Sequence, residues 1–265
     1  MNSTGFSRFA ALMSIGCLVV PAVASAQPVV WVTSSLQRTG QTDPAGSGTQ
    51  AQLAAGRGEY ESFQIVVRGP SAGLTNVNVT VSDLTGPGGA IIPKTSFTLF
   101  REHYVYVSQS SPNWGGSNQP LGAGWYPDGL IPFADPSTGA DLSGSSAALK
   151  AVPFGLSANT NQPIWVDLLV PRNAVAGQYA GTFAVTSNQG STGGTISLTV
   201  WNFTLPMRST LRSSFLYWNT GNLPSDQELL RNKIQPIREA LAEQSNLMSV
   251  YGLAMWAYPS GVRLP

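Results

Sequence analysis

LTNVNVTVSDL, residues 74–84, sets Val77, Val79 and Val81 against Asn78, Thr80 and Ser82 in strict alternation. Successive side chains of an extended strand point to opposite faces, so this stretch predicts a strand with one dry and one wet face. ESFQIVVR (61–68) has the same grammar, with Phe63, Ile65 and Val67 directed inward and the positions between them outward. FTLFREHYVYV (97–107), PIWVDLLVP (163–171), GQYAGTFAVTS (177–187) and TISLTVWNFTLP (195–206) continue the pattern, divided by turn-rich pieces such as GPGG (86–89) and NQGSTGG (188–194). Short strands with no helical period between them predict a mainly β fold, a two-sheet antiparallel β-sandwich.

Composition narrows the class further. MNSTGFSRFAALMSIGCLVVPAVASAQ opens with Arg8, an apolar run from Phe9 to Val23 and Ala24-Ser25-Ala26, the pattern of a signal peptide over residues 1–26 cleaved before Gln27. The expectation is an exported protein, periplasmic, cell-surface or extracellular. No other stretch approaches the length of a membrane-spanning helix. Cys17, the single cysteine, lies inside the leader, so the mature chain forms no internal disulfide and rests on its apolar core. The 14 basic residues less Arg8 leave 13 against 13 acidic ones, with no basic block, which argues against nucleic acid and anionic membranes as partners. Charged residues make up 10% of the chain, well below the roughly 25% of an ordinary soluble domain, while 28 glycines and 19 prolines imply many turns.

Residues 108–150 break the alternation and are rich in Gly, Pro, Ser and Asn, which predicts a long loop insertion in the sandwich. After Pro206 the grammar changes again. SDQE (225–228) is a capping box that predicts a helix starting at Ser225, with Leu230, Ile234, Ile237 and Leu241 at helical spacing and a kink at Pro236. The expected domains are the leader (1–26), the sandwich (27–207) and a short C-terminal α/β fragment (208–265).

AGRGEYESFQIVV (55–67), GWYPDGLIPF (124–133) and PIWVDLLVPRNAVAGQYAGTFAV (163–185), taken together, resemble the N-terminal β-sandwich of glycoside-hydrolase-family-123-like bacterial exported proteins. The resemblance covers about residues 29–240. It implies a sandwich followed by a C-terminal catalytic (β/α)-barrel that cleaves N-acetylgalactosaminides by substrate assistance, using an adjacent Asp-Glu pair. A barrel takes at least about 200 residues, whereas 59 follow Pro206. The FLYW stretch (215–218) and the capped helix are then expected to be the first elements of a truncated barrel, with Leu229, Leu230, Ile234 and Leu241 left as an apolar patch. No Asp-Glu or Glu-Asp dipeptide occurs in the chain, so no catalytic residue is carried over.

The long loop holds the remaining candidates. Trp114, Trp125 and Tyr126 offer flat apolar faces, and Asn113 and Asp128 offer hydrogen bonds, the combination that sugar recognition uses. The competing reading is that these rings pack the loop onto the sandwich or a neighbouring barrel. Asp128 lies between Pro127 and Gly129, ordinary turn chemistry, and its only acidic companions in the loop, Asp135 and Asp141, are not fixed by spacing as the pair a glycosidase needs. His103 stands alone without a nucleophile elbow, and one histidine with no mature cysteine leaves no zinc set. GAGWYP (122–127) lacks the third glycine of a dinucleotide loop, and Arg57, Glu59 and Glu61 read as surface charges at a strand start. The expectation is no cofactor and no required metal. Two functions follow: a non-catalytic accessory sandwich of a glycoside-hydrolase-like exported protein, or a free-standing carbohydrate-binding or adhesion module of the cell envelope.

Overall fold

A computed structural model describes residues 1, 27–115, 120–135, 138–142, 150–211, 213, 215, 222–236 and 244–253. The expected leader, Ile237 and Leu241 lie outside them. In chain order the strands are β1 (Val29–Ser34), β2 (Gln50–Arg57), β3 (Tyr60–Arg68), β4 (Leu74–Val81), β5 (Leu84–Thr85) and β6 (Ile91–Ile92). They continue as β7 (Phe97–Val107), β8 (Gly124–Pro132), β9 (Phe154–Leu156), β10 (Asn161–Leu169), β11 (Gly177–Ser187) and β12 (Gly190–Thr204), before helices α1 (Leu223–Arg231) and α2 (Gln244–Ser249).

The strands form two sheets, one in the order β1-β3-β10-β7-β8 and the other β2-β12-β11-β4-β9, with β5 and β6 attached through β11. All pairings are antiparallel except β12 with β2. One continuous core joins the sheets, drawn from alternating positions such as Ile65 and Val67, Val77 and Val79, Ile164 and Val166, Phe183 and Val185, and Ile196 and Leu198. The predicted sandwich is therefore the fold.

Four details differ from the sequence reading. First, β3 has no wet face: Gln64 and Val66 are as buried as Phe63 and Ile65. The connection between β1 and β2 folds back over that side of the sheet. Its carbonyls at Ser34 and Gln37 accept from Gln64 Nε2 (2.9 and 2.7 Å), and those at Gly40 and Asp43 accept from Asn161 Nδ2 (2.9 and 3.0 Å). The donors of both amides are thus matched, and Asn161 Oδ1 accepts from Arg68 Nη1 at 2.8 Å, whereas Gln64 Oε1 is buried with no hydrogen-bond partner among the described residues.

Second, GWYPDGLIP is a strand, not a loop. It lies on the sheet edge, where Pro127 and Pro132 cost little because an edge strand leaves alternate amides unpaired. The register slips between His103 and Tyr104, so Asp128 is the extra residue of a bulge. Third, NQGSTGG is mostly strand. The turn is Asn188-Gln189, and β12 begins at Gly190. Fourth, the helix cap is three residues earlier than expected: the Asn222 side chain accepts from Ser225 N–H at 3.2 Å, and Pro224 lies in the first turn where its missing N–H costs nothing.

The phrase VPRNAVAGQYAG now has a physical account. It carries the chain from β10 in one sheet to β11 in the other, and the Tyr179 hydroxyl donates to the Val175 carbonyl at 2.9 Å to close the corner. Past β12, helix α1 ends at Arg231, before Ile234. Leu230 is not exposed as expected: it is buried against Leu247 and Leu253. Phe215 and Pro236 form a parallel bridge on either side of α1.

Candidate functional site

Strand β8 carries three of the five residues singled out in the sequence, Trp125, Tyr126 and Asp128, and separates them. Trp125 is paired in register with Tyr106 of β7, their rings tilted at 53° with centroids 5.2 Å apart. Both stay about half exposed, at 52% and 54%. Tyr126 points to the opposite face, since neighbours along a strand alternate. There its hydroxyl donates to the Gly122 carbonyl at 2.9 Å, and the Arg38 guanidinium lies 5.4 Å over its ring. Tyr126, Asp128 and Arg38 line a groove of about 360 Å³ together with Val105 and Leu121. Trp125 and Trp114 do not line it. Trp114 is 91% exposed, and the neighbouring Asn113 Oδ1 accepts from Gly115 N–H at 2.9 Å, closing its own turn.

The single aromatic platform imagined from the sequence is thus two features: the Trp125–Tyr106 pair on one face, and the Tyr126–Asp128–Arg38 groove on the other. Tyr106 and Arg38 were missed because finding them requires the β7–β8 register and the path of the β1–β2 connection. A further half-exposed pair, Trp201 and Phe203, stacks at 5.8 Å and 22° at the end of β12. Its signal was the WNF of a strand with outward odd positions.

The carboxylates are dispersed. Asp128 lines the groove, whereas Asp135 lines a separate hollow beside Phe133 and Lys94, with its Oδ1 accepting from Thr138 N–H at 3.0 Å. Asp141 bridges Ala134 in the same turn region. Among the described residues no three His, Cys, Asp or Glu side chains gather in a metal-holding group. His103 lies in β7 opposite Gly129. Arg57 ties β2 to the chain around it, donating to Ala174 O (2.8 Å) and Asn202 Oδ1 (2.6 Å), and Glu59 Oε2 accepts from Gly56 N–H (2.7 Å).

One acid the sequence did not flag is the most perturbed. Glu102, in the middle of β7, is only 7% exposed, and its Oε1 has no hydrogen-bond partner among the described residues. Burial alone pushes its carboxyl up to about 7. Tyr104, two positions on, is pushed up by burial, then by the charges of Glu102 and Asp43, and its hydroxyl donates to Thr39 O at 2.8 Å. A raised carboxyl is what a glycosidase acid needs, but no second carboxylate contributes to the shift and Glu102 lines neither the groove nor the neighbouring hollow. It is a buried acid of the sheet.

Comparison with known proteins decides the family. The family model for the glycoside hydrolase 123 N-terminal domain matches residues 34–187, more than half of the chain and all but the ends of the sandwich. The chain belongs to the glycoside hydrolase 123 N-terminal domain family. Among solved structures, a family 123 glycoside hydrolase from Clostridium perfringens, described for glycolipid glycan hydrolysis, matches with a TM-score of 0.58 and 17% identity over 77% of this chain. The match spans 31% of that enzyme. At this identity the likeness is one of fold. The CooA pilin subunit of enterotoxigenic Escherichia coli (TM-score 0.29, 19% identity, 67% of this chain and 99% of that one) and the Streptococcus gordonii adhesin Sgo0707 N-terminal domain (0.27, 10%, 67% and 33%) are too distant in shape to carry an argument. No curated protein matches. The sandwich of this glycoside hydrolase 123 N-terminal domain is thus the part the relatives share.

Proposed function

We propose that this chain is a non-catalytic accessory β-sandwich of a glycoside-hydrolase-like exported protein that acts on or near glycans. The observation that carries the reading is the family match, which coincides with the sandwich. The dispersal of Asp128, Asp135 and Glu102 supports it, because glycoside cleavage by the common routes needs two carboxyl groups about 5–9.5 Å apart around one bond. The parallel Phe215–Pro236 bridge spanning α1 supports reading residues 208–265 as the opening of an α/β domain, since parallel neighbours need a crossover of this kind. The family resemblance of the sequence implies a catalytic barrel in that place. Export rests on the leader signature of residues 1–26. The purified chain is expected to leave aryl N-acetylgalactosaminides intact.

A second reading, a carbohydrate-binding or adhesion module, is favoured by one specific observation: the half-exposed Trp125–Tyr106 pair, with the groove of Tyr126, Asp128 and Arg38 on the opposite face of the same strands. Aromatic faces contribute apolar area to a sugar ring while neighbouring polar groups orient it. On a glycan array the chain should bind neutral or amino-sugar glycans, and Trp125→Ala should weaken that binding about tenfold or more with an unchanged melting temperature. An array without hits, or binding indifferent to Trp125, Tyr126 and Asp128 substitutions, speaks against this reading and leaves the accessory role.

A further inference from the structure

The sandwich and the α1–α2 segment line a half-open cavity of about 190 Å³. Its walls are apolar and aromatic: Tyr60, Leu169 and Pro171 from the sandwich side, Leu230, Val250 and Tyr251 from the helical side. Three cations reach the same cavity. Arg231 is accounted for, paired with Glu228 Oε2 at 3.1 Å and lying 5.4 Å over the Tyr251 ring. Arg172 and Lys233 are not: among the described residues neither meets a carboxylate, and each donates only to a main-chain carbonyl, Arg172 Nη1 to Leu205 O (2.8 Å) and Lys233 Nζ to Met207 O (3.4 Å).

Burial, then the charge of Arg172, pushes the Lys233 ammonium below the ordinary lysine value. Its left-handed backbone, with φ +63°, is the turn that ends α1, where Lys233 N–H donates to Leu230 O at 3.0 Å and Ile234 N–H to Leu229 O at 2.9 Å. Two like charges, the exposed Arg172 and the partly buried Lys233, thus line an apolar wall with no carboxylate partner among the described residues. A bound carboxylate relieves both the repulsion and the desolvation, and forms charge-assisted hydrogen bonds with the guanidinium.

We infer that this cavity binds a small monocarboxylate with an apolar body, its carboxylate between Arg172 and Lys233 and its body against Tyr60, Leu230 and Tyr251. The volume limits the ligand to about one ring, below the usual range for larger ligands of roughly 300–1,000 Å³. The inference is independent of the glycan reading, whose residues lie on β7 and β8.

Benzoate and benzamide, which share a ring and differ in charge, test it on the full chain by calorimetry and amide NMR. Benzoate should bind with a dissociation constant of about a millimolar or tighter, shifting amides around residues 230–234 and 250–252. Benzamide should bind at least about tenfold more weakly, and salt should weaken the benzoate complex. Lys233→Gly removes the ammonium while accepting the left-handed backbone freely, so it should keep or raise the melting temperature and lose the preference for benzoate. Arg172→Met should lose it as well. Equal binding of the two probes, no benzoate binding at millimolar concentration, or undiminished benzoate binding by both variants overturns the inference.

Discussion

Glu102→Gln is expected to make the protein more stable at pH 8 and to leave it nearly unchanged at pH 4. The carboxyl of Glu102 is raised in the folded state to about 7 by burial, against an ordinary value of 4.5. Below pH 4.5 the folded and unfolded chains both hold the proton and there is no penalty. Between 4.5 and 7 the unfolded chain ionises while the folded chain does not, so stability falls as pH rises. Above 7 the folded chain carries a buried carboxylate with an unpartnered oxygen, and the loss is complete. The shift corresponds to roughly 3 kcal/mol, or several degrees of melting temperature for a domain of this size. Glu61, raised by burial and by Glu59, and Asp167, raised by burial, add slope of the same sign. They do so in both proteins, so the difference between wild type and Glu102→Gln isolates Glu102. Denaturant unfolding across pH 4–9 checks it; parallel pH profiles for the two proteins would show that Glu102 is solvated.

Gly194→Val should abolish the sandwich. Gly194 faces Phe183 across the β11–β12 pairing, and a Cβ there would collide with the Thr49 carbonyl oxygen and lie 2.6 Å from the Phe183 ring. The Thr49 carbonyl cannot withdraw, because it accepts from Thr195 N–H at 3.0 Å and begins the parallel pairing of β2 with β12. Phe183 is itself a core residue. Overpacking against backbone has no rotamer to relax into, and a loss of more than about 3 kcal/mol is expected. Gly48, with nothing within 4 Å of its Cβ position, is the control: Gly48→Val should unfold at nearly the wild-type denaturant concentration. Equal stability of the two variants would mean that β12 does not run so close to β2.

These two sites also mark where sequence reading succeeded and where it stopped. Strands with strict alternation were legible because one face is dry, as in LTNVNVTV, where Val77 and Val79 are buried and Thr80 is exposed. The GG of NQGSTGG read as a turn because glycine usually signals one. Here it marks a strand so tightly approached by backbone and a ring that no side chain fits. GWYPDGLIP read as a loop because proline and glycine dominate it, yet a sheet edge tolerates both. Glu102 was not singled out in FREHYVYV. Two positions on, on the same face, the Tyr104 hydroxyl bonds Thr39 O of the β1–β2 connection, and local pattern carries no trace of such a distant contact. The same limit split the expected aromatic platform: Trp125 and Tyr126 are neighbours in sequence but point apart, and the partner of Trp125 is Tyr106, about twenty residues away.

The central claim is that the sandwich serves a glycoside-hydrolase-like protein without performing the hydrolysis. The most direct test is release of the aryl group from aryl N-acetylgalactosaminides by this chain, purified to homogeneity and with its fold verified by circular dichroism. The account predicts release no faster than in buffer. Turnover that co-purifies with the folded chain and disappears in Glu102→Gln or in a substitution of Asp128 would contradict it.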